Sequence, residues 1–104
     1  MGSYRVEISN VARREIRNLP GNARPLIFHA LQSLEKDPHP YSSKGMRSIK
    51  GYKMPKGLEL RRLRINRWRM VYVVEPALSL VTVLAIRKRP PYQYEDLEEL
   101  LKEV

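Results

Sequence analysis

The chain contains no cysteine. That one absence removes disulfides, thiol catalysis and zinc–thiolate sites together. Long apolar runs are missing too: nothing approaches the roughly 18 residues that mark a membrane-spanning helix. No charged n-region followed by an apolar h-region opens the chain, so no signal peptide is expected. Met1-Gly2 could begin a myristoylation motif, but Val6 stands where that motif needs Ser or Thr. The expected setting is the cytoplasm, with no membrane partner. Histidine is scarce, at His29 and His39 alone. His29 has no Asp, Glu or His three or four residues away, and the Asp37 near His39 reads as a helix terminator. No metal site and no small-molecule cofactor are therefore expected. Acid is the last shortage. Eleven Asp and Glu face 20 Lys and Arg, giving a net charge of +9 and a pI near 10.2. Such a balance favours a polyanionic partner.

What is present fits one domain spanning residues 1–104 with a single modest core. Its centre is Glu59 to Glu75, ELRRLRINRWRMVYVVE, which reads as two strands joined at Asn66-Arg67. A two-residue turn there pairs Ile65 with Trp68, Arg64 with Arg69, Leu63 with Met70 and Arg62 with Val71. Because strand side chains alternate faces, Leu63, Ile65, Trp68, Met70 and Tyr72 form a core face, with Arg61 at its far end. The opposite face carries Arg62, Arg64 and Arg69, then Leu60, Val71 and Val73. Arg64 facing Arg69 costs tenths of a kcal/mol to about 1 kcal/mol. Local conflicts of this kind tend to mark functional sites, and a bound anion such as phosphate would relieve this one.

The flanking segments complete an α+β pattern. Tyr4 to Ser9 alternates as a first strand, with Tyr4, Val6 and Ile8 on one face. Ser9 or Asn10 can cap a helix whose stripe is Ala12, Ile16 and Leu19, stopped by Pro20-Gly21. Asn22 can cap a second helix, with Pro25 in its first turn. Ile27, Ala30, Leu31 and Leu34 form its core stripe, and Asp37-Pro38 ends it. Residues 38–57 read as a basic loop with Lys44, Arg47, Lys50, Lys53 and Lys56, anchored at Met46 and Ile49. Such a loop suits phosphate contacts. Leu80 to Ile86 reads as a strand covered on both faces. It leads into Arg87-Lys88-Arg89, with Arg87 and Arg89 on the face of Val81, Val83 and Ala85. Whether Arg69 shares that face depends on the intervening turn. Pro90-Pro91 stops the strand, Tyr92 and Tyr94 follow, and Glu95 to Val104 reads as a short acidic helix. The expected fold is a small single α+β domain. It has an N-terminal strand, a helical hairpin, a mostly antiparallel three-strand meander and a short C-terminal helix.

Taken in order, YRVEIS, IRNLP, SIKG, RLRINRWRMVYVV and VTVLAIRKR before a tyrosine resemble the RelE/ParE toxin superfamily across nearly the whole chain. The short helical hairpin broken at Leu19-Pro20-Gly21 and the strand arginines resemble the RelE ribonuclease branch more than the ParE gyrase-poison branch. The resemblance implies a toxin of a type II toxin–antitoxin system. Its activity would be that of a ribosome-dependent endoribonuclease. It would cut messenger RNA in the ribosomal A site by metal-independent attack of a ribose 2′-OH on the adjacent phosphate. Its partners would be the ribosome, the message and a cognate antitoxin.

By the same resemblance Arg69 stabilises the charge that develops in phosphoryl transfer. Arg89 binds phosphate or orients the acid. Arg62 stands where well-studied members have lysine and is expected, with Arg69, Arg89 and Tyr94, in the catalytic set; Tyr94 or Tyr92 stacks on a base or moves a proton. Lys50, Lys53, Arg64 and Arg87 are expected to contact RNA. Leu60 stands where a second strand lysine is expected, and no residue is assigned as general base. Arginine is a poor base because its pKa exceeds about 12. A lysine among like charges is a better one, which points to Lys53 or Lys50. Two other readings remain open: a gyrase-directed toxin that does not cut, and a degenerate member that binds RNA or ribosomes without catalysis.

Overall fold

The computed structural model describes residues 3–46, 48–49 and 52–88. The order is β1 (Arg5–Ile8), α1 (Asn10–Arg17), α2 (Arg24–Lys36) and β2 (Ser43–Met46). After these come β3 (Ser48–Ile49), β4 (Tyr52–Lys53), β5 (Glu59–Ile65), β6 (Trp68–Glu75) and β7 (Leu80–Lys88). Five strands form one sheet in the order β1-β7-β6-β5-β2, and β3 and β4 pair separately. The central meander β5-β6-β7 is antiparallel, whereas β1 runs parallel to β7. The expected α+β fold is therefore present, with an N-terminal strand, a helical hairpin and an antiparallel meander. The expected C-terminal helix from Glu95 lies outside the described residues.

The first correction concerns residues 38–57. This stretch is not only loop: Ser43–Met46 adds a fifth strand beside β5, with Lys44 opposite Arg62 and Met46 opposite Leu60. Ser-Lys-Gly-Met has neither alternation nor β-branched residues, so its pairing comes from the strand beside it. A second correction concerns the start of α2. Ala23, not Asn22, occupies the cap position, and no side chain caps the helix. Ser9 does cap α1, accepting from the Ala12 amide at 3.1 Å.

α2 covers one face of the sheet, and α1 lies along the β7 edge with Ala12 turned to that face and Val11 to the other. Ala12, Ile27, Leu34, Met70, Tyr72, Val74, Val81 and Val83 are fully buried in the cluster on the α2 face. Each large aliphatic side chain buried there contributes about 1.5–3 kcal/mol. On the other face Leu60, Val71, Val73, Leu84 and Ala85 form a smaller cluster with Val11, Met46, Met54 and Leu58 against it.

The parallel pairing of β1 stops at Ile8 opposite Val83, yet β7 runs on to Lys88. Groups at the start of α1 and along it take over that exposed edge. The Ser9 amide donates to the Val83 carbonyl at 2.9 Å. Its hydroxyl donates to the Leu84 carbonyl at 2.9 Å. Glu15 Oε1 accepts the Ile86 amide at 2.8 Å. Helix side groups thus satisfy backbone polar groups that a longer β1 would otherwise pair.

At the far end of the sheet a polar network anchors the α2–β2 connection. The Tyr72 hydroxyl donates to the Pro38 carbonyl at 2.7 Å, and burial pushes the phenol's pKa up. Arg61 donates to Ser43 Oγ at 2.7 Å and to Glu59 Oε2 at 3.0 Å. Glu59 Oε1 also meets His39 Nε2 at 2.6 Å. Burial pushes the Glu59 carboxyl up, but the hydrogen bonds and charges of His39 and Arg61 outweigh it and hold it below its ordinary value.

Leu34→Ala is expected to cost about 2–5 kcal/mol in denaturant unfolding, because the side chain is fully buried and leaves a cavity. The Glu59 contribution has a definite sign. A carboxyl with a depressed folded pKa stabilises above its unfolded value and loses that stabilisation as pH falls through the folded one. Thermal melts of wild type and Glu59→Gln should differ most above pH 4.5 and converge below it.

Candidate functional site: a basic row across the open sheet face

The hairpin register expected from Asn66-Arg67 is the one observed, with Arg64 opposite Arg69 and Ile65 opposite Trp68. Asn66 takes the left-handed conformation at φ 58°, which asparagine tolerates better than most residues. The strand that follows β6 then extends the row. Arg69 lies opposite Arg87. Arg64, Arg69 and Arg87 therefore form one line across β5, β6 and β7, on the face opposite α2.

The position of Arg87 corrects the expected face assignment. Simple alternation puts Arg87 on the face of Val81, Val83 and Ala85. A bulge intervenes: Val71 lies opposite Ala85, but Tyr72 lies opposite Val83. Leu84 is the extra residue, so Leu84 and Ala85 both join the open-face cluster. Val81 and Val83 turn to the helices. Arg87 shares a face with Ala85 only, and that face is the one carrying Arg69.

A second basic row lies beside the first. Lys44 on β2 sits opposite Arg62 on β5, and Arg62 sits opposite Val71. Lys44 is the residue that sequence reasoning left in a loop. Its place beside Arg62 depends on a strand with no pattern of its own, so no local signal marks it. Among the described residues, the side chains of Lys44, Arg62 and Arg64 make no hydrogen bond or ion pair.

Two of the arginines are held in place. Arg69 is 6% exposed, and its Nη1 donates to the carbonyls of Asn66 at 3.0 Å and Trp68 at 2.9 Å. The guanidinium is thus folded back against its own hairpin turn. Arg87 Nε pairs with Glu15 Oε2 on α1, and the other oxygen of that carboxylate holds the Ile86 amide at 2.8 Å. Glu15 therefore fixes both the backbone and the side chain at the end of β7. A planar guanidinium carries N–H donors in a fork suited to phosphate oxygens, and here Arg69 turns Nη1 of its fork to the hairpin carbonyls.

Leu60 is fully buried among Val71, Val73, Leu84 and Ala85. The open face is thus basic at the hairpin-turn end and apolar further along. Lys53 lies on β4, outside the five-stranded sheet. Lys50, Arg89, Tyr92 and Tyr94 lie outside the described residues. His29 is exposed on α2, and His39 is engaged with Glu59. No group of three or more His, Asp or Glu suited to a metal occurs among the described residues. No helix among them is long and apolar enough to cross a membrane.

No family model matches the sequence, and no curated protein matches it. Solved structures do. RelE in the archaeal RelE–RelB complex from Pyrococcus horikoshii OT3 superposes with a TM-score of 0.73 at 20% identity, covering 86% of this chain and 99% of that one. The RelBE2 toxin–antitoxin complex of Mycobacterium tuberculosis gives 0.66 at 19%, covering 84% and 99%. The isolated E. coli RelE toxin gives 0.62 at 22%, covering 97% and 98%. At these identities the likeness concerns architecture, and on that ground the chain has the fold of the RelE toxins.

Proposed function

We propose that this protein is the toxin of a type II toxin–antitoxin system, partnered by a cognate antitoxin, and that it cleaves messenger RNA on the ribosome. The observation that carries this reading is the line of Arg64, Arg69 and Arg87, flanked by Lys44 and Arg62, on the open face of a RelE-like sheet.

The chemistry is the one that the resemblance implies. The ribose 2′-oxygen attacks the adjacent phosphorus in line as the bond to the 5′-oxygen breaks. The 2′-hydroxyl proton leaves, and the departing 5′-oxygen takes one up. The products are a cyclic phosphate and a 5′-hydroxyl. Negative charge concentrates on the non-bridging oxygens, where fixed guanidinium groups stabilise it. Arg87 is held at the strand end by Glu15, whereas the nearly buried Arg69 guanidinium must swing out from its hairpin carbonyls to meet the phosphate. Arg62, Arg64 and Lys44 neutralise flanking phosphates and set the strand's register. Arg89 and Tyr94 keep the roles that the resemblance implies, phosphate binding and proton transfer or stacking. Lys50, Lys53 and Tyr92 are assigned to RNA contact on the same ground. The ribosome supplies orientation of the message, a large part of the barrier in such reactions.

One observation favours a second reading. Leu60 is buried in the apolar cluster at the place where the resemblance expects a lysine. A protein lacking that cation would bind RNA or the ribosome without cutting.

Primer extension on a defined message in a purified translation system separates the two. Wild type is expected to give discrete cuts within codons only when ribosomes are present. Arg69→Ala should reduce cutting by about 10²–10³-fold, the usual loss on removing one charge-stabilising donor. Ribosome binding without cuts would establish the second reading. Absence of both would overturn the RNA-directed function.

A further inference from the structure

A cleft of about 270 Å³ opens at the hairpin-turn end of the sheet, lined by Asn22, Leu26, Asn66, Arg67, Trp68 and Lys88 together with the 20–23 turn. Trp68 and Lys88 are opposite each other on β6 and β7. They are the neighbours of Arg69 and Arg87 along each strand, so they face the helix side of the sheet. The cleft therefore lies around the end of the sheet from the arginine row, one residue further along each strand.

Its chemistry is of two kinds. Trp68 is half-buried against the core, and Leu26 is 42% exposed at the cleft, so an indole and one aliphatic side chain stand in a lining that is mostly polar. Around these stand two cations and two carboxamides. Among the described residues neither Arg67 nor Lys88 has an acidic partner. Asn22 does not cap α2, a role that would have occupied its side chain. A flat ring with hydrogen-bonding edges and an attached anion matches this set: stacking on the indole, edge contacts from the carboxamides, and phosphate on the cations.

We propose that this cleft binds one unstacked nucleotide of a single-stranded RNA, base against Trp68 and phosphate between Arg67 and Lys88. The proposal rests on the reading of the protein as RNA-directed and places a specificity contact outside the arginine row. A strand crossing the end of the sheet would meet both sites. Duplex RNA is not a ligand here, because its bases are not available to stack on a side chain.

Trp68 is the single tryptophan of the chain, so its fluorescence reports this cleft alone. The test titrates the purified protein with hexaadenylate RNA and with an abasic oligonucleotide of equal length. Saturable quenching by hexaadenylate is expected, weakened about tenfold when the bases are absent, as loss of a stacked base requires. Arg67→Ala and Lys88→Ala should each weaken it several-fold and flatten its salt dependence, with unchanged thermal melts showing that the fold is intact. No quenching, or equal quenching by the abasic strand, would overturn the proposal. Quenching by an acidic peptide but not by RNA would overturn it as well, in favour of a protein-binding cleft. Cleavage on ribosomes is scored separately. Cuts without quenching would defeat this proposal alone, and quenching without cuts would defeat the ribonuclease reading alone.

Discussion

The Glu15 carboxylate joins the helical layer to the sheet at the point where the sheet becomes basic. One oxygen holds the Ile86 amide and the other pairs with Arg87. Without these contacts the last third of β7 would have an open edge, since β1 ends opposite Val83. An arginine with a buried Nε, as here, is costly to deprive of its carboxylate. Helix placement, strand continuity and the aim of a cation are therefore one problem with one solution. The acid also limits the repulsion along the Arg64–Arg69–Arg87 line, where backbone carbonyls take up part of the Arg69 guanidinium.

The two faces of the sheet divide the work. The helix face supplies the larger cluster, from Ala12 to Ile86. The open face is a compromise between a smaller apolar cluster around Leu60 and Val73 and the cations nearer the hairpin turn. Among the described residues this face carries the smaller of the two apolar clusters. Sites of this sort are where local rules and stability part company.

Much of the sheet was legible because period-two alternation is a strong signal when a turn fixes its phase. Asn66-Arg67 set the phase, and the register from Arg62 to Val71 followed. The stripes of Ile27, Ala30, Leu31 and Leu34 were legible for the parallel reason in a helix. What escaped was whatever depends on a neighbour. β2 has no pattern and forms because β5 offers it an edge, so Lys44 looked like part of a loop. The bulge at Leu84 arises where both sides of an apolar run can be buried, as alternation then stops specifying which residue faces which way. Asn22 carries a capping side chain but sits one residue too early, before Ala23. Arg61 looked like the ragged end of a core face, whereas its Ser43 and Glu59 partners come from a strand that could not be foreseen and from its own.

The parallel pairing of β1 with β7 has a consequence for biosynthesis. Ser9 bonds Leu84 across 75 residues of chain, so β1 waits for β7. Contacts this distant in sequence form late and slow folding, because the loop must close before they can reward it. The arginine line needs the same strand, since Arg87 lies on β7. A nascent chain emerging from the ribosome therefore lacks the completed basic row until β7 has been made. The topology delays assembly of the whole site until nearly all of the described chain exists.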